Sequence, residues 1–166
     1  MKPLWAPWRM EYIETGKAEG CIFCDKPGER DARANLILAE TAHSVAMLNR
    51  YPYSNGHLLL APKRHENQLS SLPQEEYRDL CETLRLSLDI LRQALKPGGF
   101  NLGMNLGRSA GAGVDDHLHW HVVPRWEGDT NFMPIVGEVR VIPQHLLDSY
   151  NRLSPLFKEF LAAKRG

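Results

Sequence analysis

Three histidines alternate with apolar residues in the second half of the chain, where the sequence from His117 to Val123 reads HLHWHVV. In an extended strand successive side chains point to opposite faces, so His117, His119 and His121 would line one face of the strand. An imidazole can be a nucleophile, an acid, a base or a metal ligand near neutral pH. The alternative is a solvated strand face, which would not favour histidine repeatedly over threonine, lysine or glutamate. The spacing therefore predicts a chemically active strand face.

This stretch resembles the signature of the histidine triad (HIT) family, in which three alternating histidines precede further apolar residues. The chain is most similar to the bacterial branch that includes diadenosine tetraphosphate phosphorylases, which has an aromatic leader like the one from Leu4 to Ile13. The resemblance implies an α+β, HIT-like fold with an antiparallel sheet of about five strands, one long helix and a C-terminal helix. It also implies that two such units form a homodimer.

The resemblance further implies nucleotidyl transfer or hydrolysis at the α-phosphate of a dinucleoside polyphosphate, with an adenine nucleotide as the expected substrate. His119 would attack the phosphorus to give a covalent nucleotidyl-histidine, which phosphate or water would release. His121 would bind the phosphate and assist the leaving group. The alternatives are a hydrolase of nucleoside phosphoramidates or dinucleotides, a nucleotide-binding module without turnover, and a zinc-stabilised interaction domain.

A candidate metal site begins at Cys21 and Cys24, which are spaced as CxxC. Two thiolates at this spacing suit zinc, a redox pair or neither. His65 follows a predicted strand and His117 opens the triad, and two cysteines with two histidines make a common closed zinc site. Some members of the family resemble this pattern, so we expect these four residues to bind a structural Zn²⁺; free thiols are the alternative.

Nucleotide-binding residues are also implied by the resemblance. Asn49 corresponds to a ribose-binding position, although an asparagine there can equally cap a turn. Asn105 corresponds to an asparagine that contacts phosphates. The loop Gly111-Ala112-Gly113 precedes the triad, and its backbone N–H groups could cradle an anion. Many triad proteins carry a serine in this loop, which is absent here, so backbone amides or Ser109 must substitute.

The hydrophobic pattern predicts the elements that hold these residues. Apolar runs bounded by turn residues predict strands, and apolar residues at helical spacing predict helices. The expected strands cover 35–39, 44–48, 57–62, 100–107 and the triad, with a possible edge strand over 139–142. The expected long helix follows a capping box at Ser71 and ends at Pro97, with a core stripe that includes Tyr77 and Cys81.

The C-terminal part and the isolated His57 complete these predictions. Pro143 is expected to open a helix that restarts at Ser154 and Pro155, because serine caps helices and proline suits their first turn. A loop from Gly128 could reach over the site. His57 is expected to be a buried histidine that could support the triad from behind.

Composition limits the class of protein. The 166 residues carry 20 basic and 20 acidic side chains, so the charge predicts neither a nucleic-acid nor a membrane partner. No apolar stretch approaches the roughly 20 residues of a membrane span, and the N-terminus lacks a signal-peptide pattern. Three cysteines do not make a disulfide framework. We expect one cytoplasmic domain over 1–166, with a leader over 1–20 and a helical extension over 143–166.

Overall fold

The computed structural model describes residues 20–29, 31–129 and 144–163. Five antiparallel strands form one sheet in the order β1-β2-β3-β5-β4, as the predicted α+β fold requires. The strands are β1 (Ile37–Glu40), β2 (Ser44–Leu48), β3 (Leu58–Pro62), β4 (Gly99–Met104) and β5 (Trp120–Arg125). Most of the leader and the possible strand over 139–142 lie outside the described residues.

The triad differs from its prediction in one respect, because β5 begins only at Trp120. His117 and His119 therefore precede the strand, although the Leu118 amide still donates to the Glu66 carbonyl at 2.7 Å. The alternation of faces persists through this segment: Leu118 packs into the core under the helices, while Phe23 on the other side contacts the rings of His117 and His119.

The long helix α2 (Gln74–Leu95) starts at Pro73 without a side-chain cap. The predicted capping box is wrong, because Ser71 belongs to a short 3-10 turn that ends before the helix. Lys96 ends the helix in a left-handed conformation (φ 49°). Proline disfavours helical geometry in the residue before it, so Pro97 explains why the chain leaves the helix there.

The buried face of α2 is rotated from the predicted stripe. Tyr77 is exposed and Cys81 is only half-buried, so the prediction of a core cysteine is wrong. Thr83 and Ser87 are buried instead, because their hydroxyls donate to carbonyls one turn earlier at 2.8 and 2.7 Å. Polar side chains satisfied by their own helix can replace apolar ones at the interface.

The C-terminal helix α3 (Leu146–Ala163) is continuous and contains Pro155, so the predicted restart at Ser154 is wrong. Tyr150, Leu153 and Phe157 lie on both sides of the proline and are all buried in the same core. Burial of a large apolar side chain contributes about 1.5–3 kcal/mol, and this outweighs the backbone hydrogen bond that proline removes.

The sheet separates two apolar clusters. The larger cluster fills the space between the sheet, α2 and α3. The smaller cluster lies on the histidine face, where the short helix α1 (Ile22–Asp25) inserts Phe23 against Val45, Met47 and Leu59. No helix among the described residues is long and apolar enough to cross a membrane.

Candidate functional site

A cavity of about 340 Å³ opens on the histidine face of the sheet. Its floor follows one row of paired residues across the strands, in which His121 faces Leu59 and Leu59 faces Met47. Six of the predicted nucleotide-binding or catalytic residues line the cavity: Asn49, Asn105, Gly111, Gly113, His119 and His121. Ala112 does not line it, and Ser109 is an exposed residue outside it.

Three polar residues in the cavity wall escaped the sequence analysis: Lys26, Asn35 and Arg50. Lys26 follows α1, and Arg50 donates to the Ala34 carbonyl at 3.0 Å. Their positions depend on how α1 and the segment before β1 pack against the sheet. No local sequence pattern predicts this packing. Arg50 could still have been proposed as a cavity residue, because it follows Asn49 directly in the sequence.

His119 is buried, and its ring is held by the segment that leads into β5. Its Nδ1 lies 2.9 Å from the His117 carbonyl, and because a carbonyl only accepts, Nδ1 must carry the hydrogen. The lone pair is therefore on Nε2. Burial lowers the pKa of His119, and the bond to the His117 carbonyl opposes this only in part. A neutral imidazole with a fixed tautomer is the form that a histidine nucleophile requires.

His121 is oriented by His57, which is fully buried. The Tyr53 amide donates to His57 Nδ1 at 3.0 Å, and the Asn49 amide group lies 3.3 Å from the same nitrogen. The hydrogen of neutral His57 is therefore on Nε2, which lies 3.0 Å from His121 Nδ1. His121 Nδ1 accepts this hydrogen, which puts the hydrogen of the His121 ring on Nε2.

The two cavity histidines are thus complementary. Their ring centroids are 4.9 Å apart, His119 carries a lone pair on Nε2, and His121 carries a donor hydrogen on Nε2. Such a pair can attack a phosphorus atom and stabilise negative charge beside it.

Asn49 has a structural role whatever it binds. Its Oδ1 accepts a hydrogen bond from the Tyr51 amide at 2.9 Å, which closes a turn after β2. The turn-capping alternative is therefore present in the structure, and Asn49 also lines the cavity. The Asn49 side chain thus bonds through its oxygen to the Tyr51 amide and through its nitrogen to His57 Nδ1, and it orients the segment from Tyr51 to His57.

The glycine loop is shaped by two positive φ angles, 81° at Gly107 and 82° at Gly111. Side chains with a Cβ rarely adopt this conformation. Arg108 forms an ion pair with Asp115 across the loop, and the pair raises the pKa of Arg108. The loop is therefore closed on itself beside the cavity, with Gly111 and Gly113 forming part of the wall.

The predicted metal ligands also meet in space. The ligand atoms of Cys21, Cys24, His65 and His117 all lie within 4.8 Å of one another. The sulfur–nitrogen distances are 3.2 Å from Cys21 to His117, 3.5 Å from Cys24 to His117 and 3.3 Å from Cys24 to His65. A tetrahedral zinc ion with usual bond lengths holds sulfur and nitrogen about 3.5 Å apart, so the four residues fit this ion.

The protonation states agree with a metal site. His117 Nε2 donates to the Pro62 carbonyl at 2.8 Å, so the lone pair on Nδ1 faces the sulfurs. Burial lowers the pKa of His117 and keeps it neutral. Burial and the neighbouring Cys21 thiol raise the pKa of Cys24 to about 11. The Cys24 thiol therefore resists ionisation by itself, and a bound zinc ion would favour its thiolate.

Comparisons with known proteins agree with this geometry. The HIT domain model matches residues 30–128. An AP-4-A phosphorylase from Mycobacterium tuberculosis is 36% identical over 163 residues, which cover 93% of this chain and 83% of the relative. An adenosine 5′-monophosphoramidase from Saccharomyces cerevisiae is 32% identical over 146 residues, which cover 88% and 84%. The crystal structure of a Zn-bound histidine triad family protein from Mycobacterium smegmatis matches with a TM-score of 0.65 and 25% identity, covering 87% and 97%.

The family match covers more than half of the chain, and both relatives exceed 30% identity over most of its length. The resemblance inferred from the triad is therefore confirmed, together with the AP-4-A phosphorylase-like branch. The chain belongs to the HIT domain family of nucleotide hydrolases and transferases.

Proposed function

We propose that this protein is a diadenosine tetraphosphate-type phosphorylase that acts through a covalent nucleotidyl-histidine. The observation that carries the proposal is the pair of fixed tautomers in the cavity, with a lone pair on His119 Nε2 and a donor on His121 Nε2. The similarity to the mycobacterial AP-4-A phosphorylase over nearly the whole chain supports this substrate class.

The reaction has two displacements at the same phosphorus. His119 Nε2 attacks the α-phosphorus of the dinucleotide, the bond to the bridging oxygen breaks, and ATP leaves. His119 Nδ1 keeps its hydrogen and donates it to the His117 carbonyl oxygen, and this hydrogen bond stabilises the positive charge that the ring gains. Phosphate then attacks the adenylyl-histidine and releases ADP, whereas water would release AMP.

The cavity offers a group for each part of the substrate. His121 donates to the α-phosphate or to the bridging oxygen. The Gly111 N–H group already donates to the Arg108 carbonyl at 2.9 Å, so Gly111, like Gly113, enters the proposal as part of the cavity wall. Asn105 lines the same cavity, and we expect it to contact phosphate oxygens. Lys26 and Arg50 add basic side chains to the cavity wall; Lys26 is paired with Glu29, and Arg50 donates to the Ala34 carbonyl.

We infer that zinc, held by Cys21, Cys24, His65 and His117, has a structural role. The four ligands come from three separate chain segments, so the ion would cross-link α1, the end of β3 and the segment before β5. The three cysteines, all within the described residues, form no disulfide, and we propose a reducing compartment such as the cytoplasm.

A homodimer completes the proposal, because β4 forms an edge of the sheet. Leu102 on this strand is 44% exposed, on the side where Phe100 packs. An exposed strand edge with an apolar side chain is a surface that a second copy can cover. Sedimentation analysis of the wild type and of Leu102→Lys tests this, and a wild-type monomer at every concentration would contradict it.

The test of the activity is incubation with diadenosine tetraphosphate, with and without phosphate, followed by identification of the products. We expect ATP and ADP only when phosphate is present. His119→Asn should form neither product, whereas the matched control His145→Asn, an exposed histidine outside the cavity, should keep full activity. If the products are ATP and AMP in equal amounts, with or without phosphate, the enzyme is a hydrolase and the proposal of a phosphorylase is wrong.

The main alternative is hydrolysis of a nucleoside phosphoramidate, which the similarity to the yeast phosphoramidase favours. Release of ammonia from adenosine 5′-phosphoramidate, with no products from the dinucleotide, would establish it. Tight nucleotide binding with no turnover of either substrate would instead indicate a binding module.

A further inference from the structure

The end of the cavity away from the histidines contains one nearly buried polar side chain, that of Asn35, which is 9% exposed. Asn35 lies just before β1, and β1 is three strands away from β5, which carries His121. Three strand spacings amount to about 14 Å. This span suits an extended nucleotide with its α-phosphorus at the histidines and its base near Asn35.

The orientation of the Asn35 amide is fixed by a carboxylate. Its Nδ2 donates to Glu29 Oε2 at 2.6 Å, while the other oxygen of Glu29 accepts from Lys26 at 3.2 Å. The bond to Asn35, followed by that to Lys26, holds the pKa of Glu29 below its usual range. An ionised carboxylate only accepts hydrogen bonds, so the amide nitrogen must face Glu29.

The other side of the amide is then an oxygen. No described residue donates a hydrogen bond to Asn35 Oδ1. This oxygen is also not one of the fully buried, unpartnered polar atoms found among the described residues, so it retains some solvent contact. The next residue, Leu36, has a left-handed backbone (φ 61°), which is unusual for leucine and is typical of functional sites. Asn35 thus presents a fixed acceptor beside the apolar walls formed by Ile22 and Leu36.

We propose that Asn35, held by Glu29, is a specificity-determining residue that selects a base with an amino group at the 6-position of a purine. The exocyclic amine of adenine donates to Oδ1. Guanine and hypoxanthine carry a carbonyl oxygen at the same position, and two acceptors facing each other leave both without a partner. A site built to pair with one hydrogen-bonding group rejects analogues that lack it more strongly than an apolar pocket does.

This inference rests on the proposed function, because it requires a nucleotide in the cavity. The test is calorimetric binding of three ligands that differ only at the 6-position region: AMP, IMP and purine riboside 5′-monophosphate. Wild type should bind AMP about tenfold more tightly than the other two. Asn35→Leu should bind all three equally, whereas the control Asn67→Leu, an exposed asparagine outside the cavity, should keep the preference.

A second variant guards against misfolding of Asn35→Leu. Glu29 is exposed, and Glu29→Gln lets the Asn35 amide rotate, so the preference for AMP over IMP should shrink while AMP still binds. Equal binding of AMP and IMP by wild type would overturn the role of Asn35 and leave the proposed function intact. Failure of wild type to bind any nucleotide would overturn both proposals.

Discussion

Substitutions at His57 can distinguish two roles of this residue: orienting His121 through a hydrogen bond, and filling space in the core. His57 is fully buried, accepts from the Tyr53 amide at 3.0 Å through Nδ1, and lies 3.0 Å from His121 Nδ1 through Nε2. An asparagine amide reaches about as far as Nδ1 of histidine, and a glutamine amide reaches about as far as Nε2. His57→Asn should therefore keep the acceptor for Tyr53, whereas His57→Gln should keep the donor for His121.

The expected loss follows from what His121 contributes. A hydrogen bond to a charged group contributes about 1.5–3 kcal/mol, which is about 10- to 150-fold in rate at 1.36 kcal/mol per factor of ten. Without the hydrogen from His57, His121 still adopts the productive tautomer part of the time, so we expect about a tenfold loss, near the lower end of that range. The loss should appear in kcat/KM for His57→Asn and should be smaller for His57→Gln.

The assay is steady-state turnover of diadenosine tetraphosphate with phosphate, beside calorimetric binding of AMP as a readout of cavity integrity. Both variants should bind AMP nearly as well as wild type, because the acceptor and donor they lose do not face the base. The reasoning is refuted if His57→Asn is as active as His57→Gln or more active. Equal loss of AMP binding and turnover in both variants would mean that His57 only packs.

Three further predictions concern other parts of the structure. His119→Asn should abolish turnover and should remove the nucleotidyl adduct that mass spectrometry detects on the wild-type peptide, while nucleotide binding persists. Cys21→Ser should reduce zinc, measured by elemental analysis, from about one ion per chain to well below one, and should lower the melting temperature. The ion pair with Arg64 holds the pKa of Glu76 below its usual range, so its stabilisation is present above the unfolded pKa and is lost as pH falls through the folded pKa. Glu76→Gln should therefore lower the free energy of unfolding in urea near neutral pH, and the difference from wild type should shrink as the pH falls below the usual pKa range of glutamate.

Much of the fold could be predicted because its signals are local. Short apolar runs between turn residues predicted β2 and β3 to within a residue, and one helical pattern predicted α2. The metal ligands were predicted from residue type and the family pattern. Their ligand atoms come together because β3 and β5 pair in the sheet, a pairing that the sequence analysis did not predict.

The failures have a common physical origin, because each involves a contact between distant segments. Pro155 stays inside α3 since the core holds the helix on both sides of it, and Cys81 is displaced from the core by Thr83 and Ser87 on the rotated face. Asn35 looked like the start of a strand, and its role depends on Glu29 and on the cavity that the sheet creates.

The proposed zinc and the proposed nucleophile are mechanically connected through Phe23. Phe23 lies between the two cysteines in sequence, its ring contacts those of His117 at 5.1 Å and His119 at 4.9 Å, and it lines the cavity. A metal bound by these ligands would close chain separations of 41 and 96 residues and would fix α1 against the sheet. Closing such loops costs the chain conformational entropy, and the metal–ligand bonds would offset this cost. Because the first histidine of the triad would bind the metal and its carbonyl holds the second, the same cross-link that stabilises the fold would also set the tautomer of the attacking ring.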